Sequence, residues 1–254
     1  MDHVWFRGNY SSWADARRDS TGYDAPTILE KVRSATLSVI AGQAACERDS
    51  VTFDRVEYSL PLLASLLYVA TRSRNAVHVL DFGGSLGSSY WQNRKFLEHL
   101  ESVRWSIVEQ PHFVDVGKAE IANEVIHFYR SIDDCLVAGR PNLVLLSGVL
   151  QALEHPYDVF ATILAQRIPF VILDRTQFFV ADLSDRLTVE RVHPAIYDAS
   201  YPSWFFNLRR FHRFVEQSEY RIIEEFDSWE RWEVDGDAAQ NKCVLLEHVE
   251  DRRR

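Results

Sequence analysis

The stretch Val77–Tyr90, VHVLDFGGSLGSSY, decides the fold. An apolar run ends in an aspartate, breaks on Gly83, Gly84 and Gly87, and passes at once into a segment of helical character. Glycine tolerates positive φ, and it lets the backbone N–H groups at a helix start approach a ligand without side-chain bulk. The stretch therefore reads as strand, tight turn and helix N-terminus, the unit from which open α/β sheets are built.

Short apolar runs continue downstream: WSIVEQ at 105–110, VIHFY at 125–129, NLVLLSG at 142–148 and PFVILD at 169–174. Such runs, separated by helix-length segments, mark strands of a parallel sheet buried on both faces. YRIIEEF at 220–226 and KCVLLEH at 242–248 are joined through Asp235-Gly236-Asp237, a turn that suits an antiparallel pair. The expectation is a doubly wound α/β domain of seven strands over 76–249, closing on an antiparallel hairpin, with 250–254 as a tail. Upstream, 1–75 reads as a helical extension or lid. Pro26, Ile28, Val32, Ala35 and Val39 have helical spacing behind a cap at Asp24 or Ala25, and Pro61, Leu63, Leu67 and Ala70 repeat the pattern.

At 254 residues and 46% hydrophobic content, the chain fits one embellished domain. A net charge of −9 argues against non-specific nucleic-acid binding, which needs a basic face. The three cysteines, Cys46, Cys135 and Cys243, are odd in number and far apart, so neither a disulfide framework nor a metal site is expected. With no signal-peptide pattern and no apolar run near the roughly 18 residues of a membrane span, a cytoplasmic protein is expected. The oligomeric state is left open.

The glycine turn discriminates between cofactors. A nicotinamide fingerprint, G-x-G-x-x-G, aligned on Gly84 and Gly87 puts Phe82 where its first glycine belongs, so an NAD-linked oxidoreductase is disfavoured. Asp81-x-Gly83-Gly84-x-x-Gly87 instead resembles the first motif of the S-adenosylmethionine methyltransferases, D/E-x-G-x-G-x-G, with the middle glycine displaced and Ser85 in its place. An acid before the turn suits the ammonium of that cofactor and would repel a pyrophosphate. Glu109, ending the second strand, is placed to accept from two ribose hydroxyls, a role that also fits NAD. By the same resemblance Ser131 and Ile132 fall at the adenine, with Ser131 equally suited to a helix cap; Gln110 and Ser147, which ends the fourth strand, are further cofactor-binding candidates. Val149, Leu150, Leu153 and Pro156 then match the methyltransferase pattern V-L-x-x-L-x-x-P.

More closely, the chain resembles a family of class I methyltransferases met among bacterial surface-polysaccharide biosynthesis proteins. The resemblance rests on W-x-x-G-N-Y-x-S-W-x-x-A at Trp5–Ala16, Gly22-Tyr23-Asp24, Glu47-Arg48-Asp49-Ser50, DFGGSLGSSY, Val108-Glu109-Gln110, LLSGVLQ, Asp174-Arg175-Thr176 and Ala199-Ser200-Tyr201-Pro202-x-Trp204. It implies a seven-stranded Rossmann-like sheet, S-adenosylmethionine as cofactor, and O-methylation of a sugar or other small glycan acceptor. Asp174, His155 and His193 are the candidate bases for such an acceptor hydroxyl. Arg175 can clamp an acidic sugar or a phosphate, and Tyr197, Tyr201 and Trp204 can stack on a sugar face or simply fill the core. Trp5, Tyr10 and Trp13 belong to a lid or to a strap packed on a sheet. Glu47-Arg48-Asp49 reaches the cofactor mouth or forms a solvated turn. A non-catalytic protein that keeps the fold and lacks a working base is the rival expectation.

Overall fold

The structure is a computed structural model and describes residues 5–22, 26–192 and 199–249. The chain begins with β1 (Trp5–Arg7), α1 (Trp13–Arg18), α2 (Pro26–Ile40), the strands β2 (Cys46–Arg48) and β3 (Val51–Phe53), and α3 (Leu60–Arg72). Alternation follows: β4 (Ala76–Phe82), α4 (Ser88–Leu97), β5 (Ser102–Val108), α5 (Pro111–Glu120), β6 (Ile126–Tyr129), α6 (Ile132–Ala138), β7 (Leu143–Ser147) and α7 (Pro156–Leu164). The chain continues through β8 (Phe170–Phe179), β9 (Arg186–Arg191), β10 (Ser200–Phe205), α8 (Leu208–Glu216), β11 (Tyr220–Val234) and β12 (Asp237–His248).

Seven strands form one sheet in the order β11-β12-β8-β7-β4-β5-β6. β4 runs parallel to β5 and to β7, β5 runs parallel to β6, and β11 pairs antiparallel with β12. All seven strands expected from the apolar runs are present, and the expected hairpin closes the sheet. The chain steps outward from β4 through β5 to β6 and then returns to β7 on the other side of β4. That reversal makes the carboxyl end of β4 a topological switch point, where open α/β sheets bind ligands.

Two compact units are distinguished: Pro26–Ser147 with Phe170–Ile172, and Met1–Ala25 with Gly148–Pro169 and Leu173–Arg254. In the first, α3 starts at Ser59, whose hydroxyl accepts from the Leu62 N–H, with Pro61 in the first turn. Leu62, Leu63, Leu66, Val69 and Ala70 give it a buried face at helical spacing. β2 and β3 form a two-residue hairpin whose turn residues, Asp49 and Ser50, both take positive φ (51° and 67°), the geometry of a primed turn. Residues 26–75 thus hold two helices with this hairpin between them, which the charged triplet did not announce.

The second unit contains an antiparallel sheet, β1-β9-β10, that the sequence did not suggest. β1 is three residues long and pairs with a strand more than 180 positions away, and β10 contains Pro202, so local pattern carried little signal. Tyr10 and Trp13 pack with Ala16, Leu187 and Val189 in a small core, and the Tyr10 N–H donates to Leu187 O at 2.9 Å. Both aromatics are therefore part of a strap on this sheet. Asp24, Ala25, His193 and Tyr197, to which the sequence assigned a cap, a base and a stacking ring, lie outside the described residues.

Candidate functional site

β4 delivers Asp81 to the glycine turn. The residue is 1% exposed; one carboxylate oxygen accepts from Trp105 Nε1 at 2.7 Å, and Oδ1 is buried with no hydrogen-bond partner among the described residues. Burial pushes the carboxyl up to about 7, the Trp105 hydrogen bond pulls it down, and the neighbouring Glu109 adds a smaller upward push. A buried acid with an unsatisfied oxygen is costly in isolation and is matched by a cationic donor.

The turn that follows is shaped around this acid. Gly83 takes φ 69° and its N–H donates to Val108 O at 2.9 Å, tying the turn to β5. A Cβ on Gly84 would fall 2.4–2.7 Å from the Asp81 carboxylate atoms, so only glycine fits against it. Ser85 follows at φ 53°. Gly87, at φ 93°, caps α4 with no side-chain hydrogen bond, which leaves N–H groups of the first helical turn free of a side-chain cap. Such a helix start favours a carboxylate or other anion.

Glu109, just beyond β5, is partly buried and accepts from the backbone N–H groups of Ser85 and Gln110. Burial raises its carboxyl above the ordinary range while these two N–H groups pull it down. Glu109 and the turn therefore hold one another in place. Gln110 occupies the cap position of α5, and Ser131 caps α6 by accepting from the Asp134 N–H at 3.1 Å, with Ile132 as the first helical residue. Ser147 is the last residue of β7. Glu47 is buried, and its carboxylate accepts from Ser88 Oγ at the start of α4. The β2–β3 hairpin thus braces the helix that follows the turn. Trp105 is the residue here that sequence reading missed; an indole inside an apolar strand looks like core until its N–H partner is seen.

The second unit holds a separate polar group. Asp174, on β8, is 2% exposed, and its carbonyl accepts from the Gly148 N–H at 2.9 Å. Arg175 takes φ 51°, an unusual backbone for a non-glycine residue inside a strand. Its Nε lies 3.4 Å from Glu230 Oε2, and its carbonyl accepts from Gln151 Nε2 at 3.0 Å. Glu230 also accepts from Asn241 Nδ2 at 2.7 Å, and Asn241 accepts from Trp232 Nε1 at 3.0 Å. Gln151 Oε1 is buried without a hydrogen-bond partner among the described residues. Gln151, Glu230 and Asn241 lie far apart in sequence from Arg175, and only the β11–β12 hairpin and the turn after β7 gather them. Tyr201 OH donates to Glu190 Oε1 at 3.0 Å and Trp204 Nε1 to Leu153 O at 3.1 Å, so both sequence-nominated aromatics are anchored within this unit. His155 caps the start of α7 with its side chain 70% exposed.

No group of histidine, cysteine and acidic residues among the described residues has the disposition of a metal site. No described helix is long and apolar enough to cross a membrane.

The sheet order, the closing hairpin and the acid-glycine turn at the switch point together define a Rossmann-like fold of the methyltransferase type. Solved structures bear this out. The N-terminal domain of EvdMO1, crystallised with SAH and D-fucose, matches with a TM-score of 0.52 at 12% identity, over 89% of this chain and 97% of that one. The same domain with SAH alone gives 0.51 at 11% identity, over 89% and 98%. An S-adenosylmethionine-dependent methyltransferase from Clostridium acetobutylicum ATCC 824 gives 0.50 at 8% identity, over 76% and 93%. No family model and no curated protein sequence matches the chain.

Proposed function

We propose that this protein is an S-adenosylmethionine-dependent methyltransferase that methylates a hydroxyl of a sugar or other small neutral acceptor in surface-glycan biosynthesis. The observation that carries the cofactor assignment is the buried Asp81 carboxyl, whose Oδ1 has no partner among the described residues, cradled by a turn in which a Cβ added at Gly84 has no room. S-adenosylmethionine brings a methyl group on a positively charged sulfur, ready for in-line displacement.

The residues of the first unit fit its parts. Asp81 accepts from the ammonium, the uncapped start of α4 receives the carboxylate, and Glu109 turns from backbone N–H groups to the ribose hydroxyls. Gln110, Ser131, Ile132 and Ser147 complete the cradle. Electrostatic fit also separates this cofactor from a dinucleotide, whose pyrophosphate the acid at the turn, Asp81, would repel.

Asp174 is the residue assigned to hold the acceptor's proton, and His155, exposed on α7, and His193 rank behind it. Arg175, Tyr201, Trp204 and Tyr197 are assigned to the acceptor. The pairing of Arg175 with Glu230 supports a neutral acceptor, since a guanidinium already matched by a carboxylate has less to gain from a phosphate. The likeness in fold to the EvdMO1 domain, crystallised with D-fucose, points the same way.

The test is calorimetry with S-adenosylmethionine and with NAD, followed by transfer of a labelled methyl group to D-fucose and a panel of neutral and phosphorylated sugars. Heat with S-adenosylmethionine alone and label in a neutral sugar are expected. No heat with S-adenosylmethionine would refute the assignment; binding without transfer to any acceptor would leave a non-catalytic binding protein as the better reading.

A further inference from the structure

Parallel strands covered by helices on both faces are ordinarily apolar throughout. One face of β4, β5 and β6 departs from this. His78 pairs in register with Arg104, and Ser106 with His127, so these four side chains share a face, with Tyr129 two residues further along β6. Under them lies a cavity of about 160 Å³ lined by His78, Arg104, Ser106, Gly139, Arg140 and Pro141, with no carboxylate in its lining.

Arg104 is partly buried here, and no carboxylate among the described residues comes within ion-pair distance of it. It donates from Nη2 to the Tyr129 hydroxyl at 2.8 Å, which leaves most of its five N–H donors for another acceptor. Its positive field is felt by its neighbours: the His127 ring is held below its ordinary range by burial and by Arg104, and His127 Nε2 is buried without a hydrogen-bond partner among the described residues. Two arginines and a histidine around an acid-free cavity are unexpected in a chain of net charge −9. A partly buried guanidinium is costly unless an anion and further hydrogen bonds satisfy it.

We propose that this cavity binds a small oxyanion of the phosphate type, held by the guanidinium groups of Arg104 and Arg140, with the His78 ring, whose Nε2 meets Ser102 Oγ at 2.8 Å, and Ser106, bonded to Cys135, completing its wall. Planar guanidinium forks match tetrahedral oxyanions in a bidentate manner. The site is separate from the cofactor turn. His78 stands near the start of β4 and the glycines follow its end, five residues further along an extended strand, or about 16 Å. Occupancy would brace the α6–β7 connection, which carries Gly139, Arg140 and Pro141, against the strands.

The experiment is titration of the full chain with inorganic phosphate at constant ionic strength and pH 7, read by calorimetry and by melting temperature, with and without saturating S-adenosylmethionine. The expected result is saturable uptake of one phosphate, indifferent to the cofactor, with affinity at least tenfold weaker in Arg104→Gln. Arg140→Gln serves as the second variant where the first fails to fold. Nuclear magnetic resonance adds a local readout: the His127 ring should titrate at a higher pH once phosphate is bound. Absent saturation, equal uptake by both variants, displacement by S-adenosylmethionine, or an unmoved His127 would each overturn the proposal.

Discussion

Replacing Asp81 by asparagine should stabilise the free protein at alkaline pH while damaging its proposed cofactor site. The carboxyl is pushed from its ordinary 3.8 up to about 7, chiefly by burial. Because the folded value is the higher one, the unfolded chain releases this proton first, and stability falls as pH rises from about 4 to about 7, then levels off. That interval, at about 1.4 kcal/mol per pH unit, amounts to roughly 4 kcal/mol of penalty at pH 8. Asparagine keeps an oxygen for the Trp105 N–H but leaves its own amide unpaired, at a cost of about 1 kcal/mol. Asp81→Asn should therefore be more stable than the native chain by roughly 2–3 kcal/mol at pH 8 and slightly less stable near pH 4. Urea denaturation at the two pH values, followed by circular dichroism, measures this. A stability difference independent of pH would refute the reasoning, because it would mean that Asp81 ionises in the folded state as it does in the unfolded one.

Further consequences concern the same residues. Affinity for S-adenosylmethionine should fall by up to about tenfold per pH unit below 7, as Asp81 takes up the proton that the ammonium must displace; a flat calorimetric profile between pH 5 and 8 would contradict the contact. Glu109→Ala should weaken cofactor binding by roughly 1.5–3 kcal/mol through loss of a charged acceptor, and unchanged affinity would remove Glu109 from the ribose. Gly84→Ala should cost about 1–3 kcal/mol of stability, since its Cβ would collide with the Asp81 carboxylate; an unshifted denaturation midpoint would contradict the close approach. Glu230→Gln should remove one carboxylate from beside Arg175 and shift acceptor preference toward phosphorylated sugars, as read by labelled methyl transfer; an unchanged preference would contradict the assignment.

Legibility followed the range of the interactions. The seven strands of the main sheet were readable because each is a continuous apolar run, and Asp81, Gly83, Gly84 and Gly87 were readable because they crowd into seven consecutive residues. The strap formed by Tyr10 and Trp13 was one of two alternatives the sequence offered, whereas the sheet it packs on, with β9 and β10, was hidden. Its pairings join residues 5–7 to 186–191, and nothing local to either segment announces the other. Arg175 was nominated as an anion clamp from its position after the fifth strand, whereas Glu230 and Asn241, which change its electrostatic meaning, arrive from a hairpin more than fifty residues later.

The amino-acid sequence by itself determined the sheet and the chemical sign of the turn. Burial of apolar strands sets the first, and an acid beside glycines at a strand end sets the second. Tertiary structure alone decided the charge state and company of those acids. Asp81 becomes a weak acid only once the surrounding core excludes water, against the downward pull of the Trp105 N–H, and Glu109 is fixed only when the Ser85 and Gln110 N–H groups are turned toward it. Desolvation and hydrogen bonding are properties of an assembled neighbourhood, and no single stretch of chain contains them.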